Sequence, residues 1–157
     1  MATRRSQPQE SRQSTRSAET EPRWQDVVVP DVVRREARKF LSIGQYVHVT
    51  DFVKQLVGFG SRRYDRTMRI EALGDFWELK EKGGVLGRIN VRIYFAFVEA
   101  NNQVILLSAY KKEDDGAAPP HIILRLRNRL RAYHRGDFDK GSIVHKWRRA
   151  DQETSLE

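Results

Sequence analysis

Cysteine is absent from all 157 residues, which excludes disulfides, thiolate metal sites and a cysteine nucleophile. No apolar run approaches the roughly 18 residues that a membrane span needs. The Arg/Ser/Gln-rich start has no apolar h-region and does not read as a secretory signal, and Glu10, Glu19 and Glu21 argue against a transit peptide. These absences lead to an expectation of a reducing, cytoplasmic setting and no membrane partner. A Walker-type glycine-rich loop, paired catalytic carboxylates and metal-ligand spacings are missing too, so no metal and no cofactor is expected. Positive charge is what the chain has in excess. The formal net charge is +8, and between His121 and Arg149 nine Arg or Lys stand against two Asp. A localised basic surface calls for a polyanionic partner, nucleic acid before an acidic protein.

The length suits one domain with tails. Residues 1–23 offer Met1, Ala2 and Ala18 amid Ser, Gln, Thr, Arg and Glu, too little apolar surface to offset chain entropy, and read as a disordered tail. A single domain is expected over 24–149. Residues 150–157 form a second tail, whose Leu156-Glu157 reads as a cloning remnant. Within the domain, residues 24–29 make a short strand candidate closed by Pro30. Asp31 is placed to cap a helix running to about Ser42, with Val33, Ala37, Phe40 and Leu41 on one face. Thr50 is the candidate cap of a second helix with an apolar stripe of Phe52, Val53, Leu56 and Val57, ended by Gly58 and Gly60.

After a basic loop holding Arg62, Arg63, Tyr64 and Arg66, the hydrophobic period changes from helical to two. Over 76–82, Trp77 and Leu79 oppose Glu78, Lys80 and Lys82. Gly83-Gly84 turns the chain. Ile89, Val91, Ile93, Phe95 and Phe97 then share one face, leaving Arg88, Asn90, Arg92, Tyr94 and Ala96 on the other. Asn101-Asn102 suits a hairpin turn, because Asn tolerates positive φ. A two-residue turn sets Arg92 opposite Lys111 and Tyr94 opposite Ala109; a three-residue loop sets Arg92 opposite Tyr110. Pro119-Pro120 opens a helix to about His134, with Ile122, Leu126, Leu130 and Tyr133 buried and Arg125, Arg127, Arg129 and Arg131 over the remainder. Residues 143–147 are either a last strand or an ordered tail.

Four motifs in this order resemble the RelE superfamily of bacterial toxins, nearest its HigB-like, phage-associated branch. They are the segment from Leu73 through Gly74-Asp75-Phe76-Trp77-Glu78-Leu79 to Lys80, the Arg92-Ile93-Tyr94 strand, the run from Ile105-Leu106-Leu107 to Lys111-Lys112, and the proline-opened helix at Pro119-Pro120. The resemblance covers roughly residues 25–135. It departs from the family at Lys80, where Arg is usual, at Phe76, where Gly is common, and at Ala109-Tyr110. It implies an α+β, RelE-like fold: two N-terminal helices, a small antiparallel-containing sheet, and a helix after the β-meander.

The resemblance further implies the toxin of a type II toxin–antitoxin pair, a metal-independent endoribonuclease cutting messenger RNA, commonly on the ribosome. A cognate antitoxin, expected to carry a helix-turn-helix, would hold it inactive. The reaction is attack of a ribose 2′-OH on the adjacent phosphorus with expulsion of the 5′-oxygen. It needs a proton acceptor, cations on the phosphorane oxygens and a donor to the leaving oxygen. Arg92 is the first choice for the phosphate, since guanidinium matches it bidentately; otherwise it is a strand-surface Arg paired with Glu78 or Glu99. Lys80 and Lys111 are candidates for stabiliser or, with a pKa lowered by crowded cations, general base. Tyr94 is placed to donate a hydrogen bond or to stack on a base, or else only packs. Arg88, Lys112, Arg125, Arg127, Arg129 and Arg131 are read as RNA-binding, giving affinity without sequence reading; the four helix arginines can equally serve antitoxin docking or merely be solvated. Two rivals stand beside this reading. One is a ParE-like gyrase poison without a nuclease site, the other a non-catalytic, basic, nucleic-acid-binding phage accessory protein.

Overall fold

The computed structural model describes residues 24, 26–59, 68–138 and 141–146. The 1–23 tail, the loop with Arg62, Arg63, Tyr64 and Arg66, and the boundary drawn at 149/150 lie outside them. Strand β1 (Asp26–Val29) is buried along its whole length, as befits a strand flanked on both sides. It runs parallel to β5 (Gln103–Lys111) and antiparallel to β6 (Ser142–Lys146), so the last segment is a strand. Gly141, at φ +60°, lets β6 enter: a Cβ there would stand 2.2 Å from the Val29 carbonyl oxygen.

The first two helices begin and end elsewhere than the sequence patterns indicate. Helix α1 (Asp31–Arg38) starts after Pro30, with no side-chain cap. Asp31 lies in its first turn, where a carboxylate complements the positive helix end without capping it. Helix α2 (Ile43–Lys54) starts at Ser42, eight residues ahead of Thr50. Gln45 N–H donates to Ser42 Oγ (3.2 Å) and Ser42 N–H to Gln45 Oε1 (2.9 Å), a reciprocal box that satisfies two orphan amides at once. Thr50 sits inside the helix, its hydroxyl donating to the Tyr46 carbonyl at 2.8 Å.

Four antiparallel strands follow: β2 (Arg69–Leu73), β3 (Phe76–Glu81), β4 (Val91–Val98) and β5, in a sheet ordered β2-β3-β4-β5-β1-β6. Strand β2 was not foreseen: Arg69-Ile70-Glu71-Ala72-Leu73 is an edge strand with little burial to impose a pattern. The β4–β5 connection is not a two-residue turn. Val98 pairs with Gln103 across four residues that end on Asn102 in the left-handed region, and a bulge at Leu107 shifts the later pairs. Arg92 therefore faces Tyr110, and Lys111 faces Val91.

Two cores hold the sheet between helices. Val33, Ala37, Val49 and Val53 of α1 and α2 pack with Leu79, Ile93, Phe95 and Leu106 on one face. On the other, Ile122 and Leu126 of α3 (Pro120–Arg135) cover Tyr94, Ala96, Ile105 and Leu107. The architecture is α+β, with two helices before the meander and one after it. No described helix is long and apolar enough to cross a membrane.

Candidate anion-binding site

Directly opposed residues of neighbouring strands point to the same side of a sheet. The observed register thus builds two rows across the face that α3 partly covers. One reads Arg69, Lys80, Arg92, Tyr110; the next reads Glu71, Glu78, Tyr94, Ser108. Like charges directly opposed are destabilising, and here three cations stand side by side on three strands. The compensation comes from the carboxylates of the neighbouring row. Lys80 Nζ lies 2.7 Å from Glu71 and 3.7 Å from Glu78, and Arg92 Nε lies 3.9 Å from Glu78. Glu78 is buried beneath both cations.

Above the cationic row is a cleft of about 200 Å³, lined by Arg69, Lys80, Lys82, Arg92 and Asp115. Arg92 forms its floor with a side chain only 3% exposed. Nη1 of Arg92 donates to Asn90 Oδ1 and to the Val91 carbonyl, which fixes the plane of the guanidinium. Its Nη2 faces upward, 3.7 Å from Asp115. The Asp115 carboxylate also takes Lys82 Nζ at 3.3 Å and Asn90 Nδ2 at 3.3 Å. The Lys82 ammonium holds the Asp115 carboxyl below the usual carboxylate range, with Arg92 and Asn90 adding to the effect. Lys80 does the same to Glu71.

Of the residues singled out from sequence, Arg92 and Lys80 meet in this cleft. Tyr94 adjoins it in the neighbouring row but is fully buried under α3, and burial together with Glu78 keeps its phenol protonated far above neutral pH. Lys111 is not brought to the cleft: the register turns it to the face of Val91, where it is exposed. Lys112 points the other way and is buried, anchoring the loop after β5 through Asp114 at 3.0 Å. Its hydrogen bond and that of Gly116 N–H lower the Asp114 pKa. Arg88 is exposed just before β4, outside the cleft lining.

The helix arginines divide. Arg129 Nη1 and Nη2 bind both oxygens of Glu36, at 2.8 and 3.0 Å, and Arg125 adds a contact at 3.2 Å. This knot closes the β5 edge where β1 has ended. Glu36 accepts the Ala109 N–H (3.3 Å) and the Ser108 hydroxyl (3.2 Å), while Arg129 donates to the Leu107 carbonyl at 2.7 Å. Arg127 and Arg131 stay exposed.

Sequence reading missed Arg69, Lys82 and Asp115 as members of the cleft, and Asn90 as the residue that hydrogen-bonds Arg92 and Asp115 beside it. The alternation that put Lys82 with Lys80, and Asn90 with Arg92, was the available signal; Arg69 and Asp115 had none. Among the described residues no group of three His, Asp or Glu is placed to hold a metal ion.

No family model matches the chain, and neither does any curated protein. Among solved structures it is similar to a mutant of the E. coli toxin RelE in the free state, at 11% identity and TM-score 0.47, over 68% of this chain and 98% of that one. It is also similar to the RelBE2 toxin–antitoxin complex from Mycobacterium tuberculosis, at 16% identity and TM-score 0.38, over 62% of this chain and 99% of that one. Likenesses of this size transfer neither activity nor partner.

Proposed function

We propose that this chain is the toxin of a type II toxin–antitoxin pair, an endoribonuclease that cuts messenger RNA by 2′-OH attack without a metal. Its partners are then messenger RNA on the ribosome and a cognate antitoxin carrying a helix-turn-helix, and its setting is the cytoplasm. The observation that carries the reading is the row Arg69, Lys80, Arg92 opening into one cleft. Aligned like charges raise the free energy of the empty fold, and a bound phosphodiester relieves that repulsion. The motif resemblance supplies the reaction class. In this reading Arg92 and Lys82 bind the non-bridging oxygens, and Lys80, held between Glu71 and Glu78, stabilises charge as the phosphorane forms. Glu78 is a positioning residue that holds Lys80 and Arg92 side by side by attracting both and offsetting their mutual repulsion. Tyr94 backs the floor of the cleft, and Lys111 has no part in it. Exposed Arg127 and Arg131 supply long-range attraction to RNA.

The test is induced expression, with growth and transcript integrity followed for the native chain, Arg92→Ala and Lys82→Ala. Arrest with cleaved transcripts, lost in both variants, is expected. Arrest without cleavage, unchanged by either substitution, would point to a gyrase-type target, and absence of arrest to a binding protein.

A further inference from the structure

The loop after β5 is clipped to the sheet at several points. Lys112 N–H donates to the Asn90 carbonyl (2.8 Å), Lys112 Nζ binds Asp114 (3.0 Å), and Asn90 Nδ2 donates to the Asp114 carbonyl (3.1 Å). Asp114 Oδ1 also accepts the Gly116 N–H at 2.9 Å, which fixes the turn. The clips deliver the next carboxylate, Asp115, onto Lys82, Asn90 and Arg92. An aspartate held by an ammonium, an amide N–H and a guanidinium has the donor set that a phosphodiester oxygen pair would need. Asp115 itself is 71% exposed in its side chain. It lies on the cations from the solvent side, so its departure uncovers them without unpacking the core.

From this geometry we infer that the Asp115 carboxylate is an internal competitor for the phosphate subsite, and that the subsite it marks is made by Lys82, Asn90 and Arg92. The inference rests on the reading of the cleft as a phosphodiester site and adds to it Asn90 as a third donor and the self-inhibition by Asp115. RNA enters by displacing Asp115. The clip at Lys112 and Asp114 keeps the displaced carboxylate close, so the loop returns when the product leaves. Lys112, read from sequence as an RNA contact, instead holds this loop in place.

The test is binding of fluorescein-labelled 2′-O-methyl hexauridylate, which lacks the attacking hydroxyl and is not cut, at fixed salt, followed by anisotropy with the full chain. Asp115→Asn is expected to bind five- to tenfold tighter than native. Asp51→Asn removes the same charge from α2 and is expected to stay within twofold. Pyrophosphate should displace the label at a correspondingly lower concentration in Asp115→Asn. Equal tightening in Asp51→Asn would reduce the effect to net charge and overturn the proposal. Lys82→Ala and Arg92→Lys separate the two claims. Weaker binding in these variants with Asp115→Asn unchanged from native removes the internal competitor alone. Native-like binding in both removes the phosphate site itself.

Discussion

Two clusters in this molecule pair arginine with carboxylate, and they are built to opposite ends. At the β5 edge, Glu36 is enclosed by Arg125, Arg129, a hydroxyl and a backbone amide, with every contact at 3.3 Å or less. In the cleft, Arg92 keeps its carboxylates at 3.7 and 3.9 Å, and one of them sits on an exposed loop. The first cluster ends a strand edge that has lost its neighbour, so it serves stability. The second leaves Arg92 short of a close carboxylate partner at an opening, which suits an exchangeable anion. Arginine count separates neither. What separates them is whether the carboxylate belongs to the packed core or to a loop that can leave.

Substitutions in the two clusters should therefore fall on different observables. The largest effect is expected for Arg92→Lys, which keeps the charge but loses the planar fork: RNA cleavage should fall about a hundredfold or more in a single-turnover assay. Glu36→Ala should cost about 3 kcal/mol in urea unfolding, because it strands two guanidiniums and leaves the Ala109 amide without a partner. Cleavage per folded molecule should not change. The double variant Arg127→Ala/Arg131→Ala should weaken RNA binding by a few-fold and lower the slope of log K against log salt by about 2 at most, leaving turnover intact. The smallest effect concerns Glu81, whose pKa burial raises while Arg69 pulls the other way. For a raised carboxyl, the unfolded chain ionises first as pH climbs, and stability is lost from the unfolded pKa up to the folded one. Glu81→Gln should thus raise Tm at pH 7 and leave it nearly unchanged at pH 4.

Much of this division was legible in the sequence. Alternation placed Ile89, Val91, Ile93, Phe95 and Phe97 against one core and Arg92 and Tyr94 on the opposite face, because a period of two survives any uncertainty about ends. The register was not legible. It depended on a connection that ends on the left-handed Asn102 and on the bulge at Leu107, which turns the later residues of β5 to the opposite face. Lys111 left the site for that reason alone. The start of α2 was readable in Ser42-Ile43-Gly44-Gln45, a capping box passed over in favour of Thr50. The division of the helix arginines was not readable, since Glu36 reaches Arg129 from 93 residues away in the chain.

One comparison bears most directly on the assignment: cleavage of ribosome-bound messenger RNA by Lys82→Ala and by Arg125→Ala, each with its Tm measured. The account predicts that Lys82→Ala lowers the cleavage rate about tenfold at unchanged Tm. Arg125→Ala should lower Tm and leave the rate per folded molecule alone. A Lys82→Ala chain that cuts like native, beside an Arg125→Ala chain that folds well and no longer cuts, would contradict it.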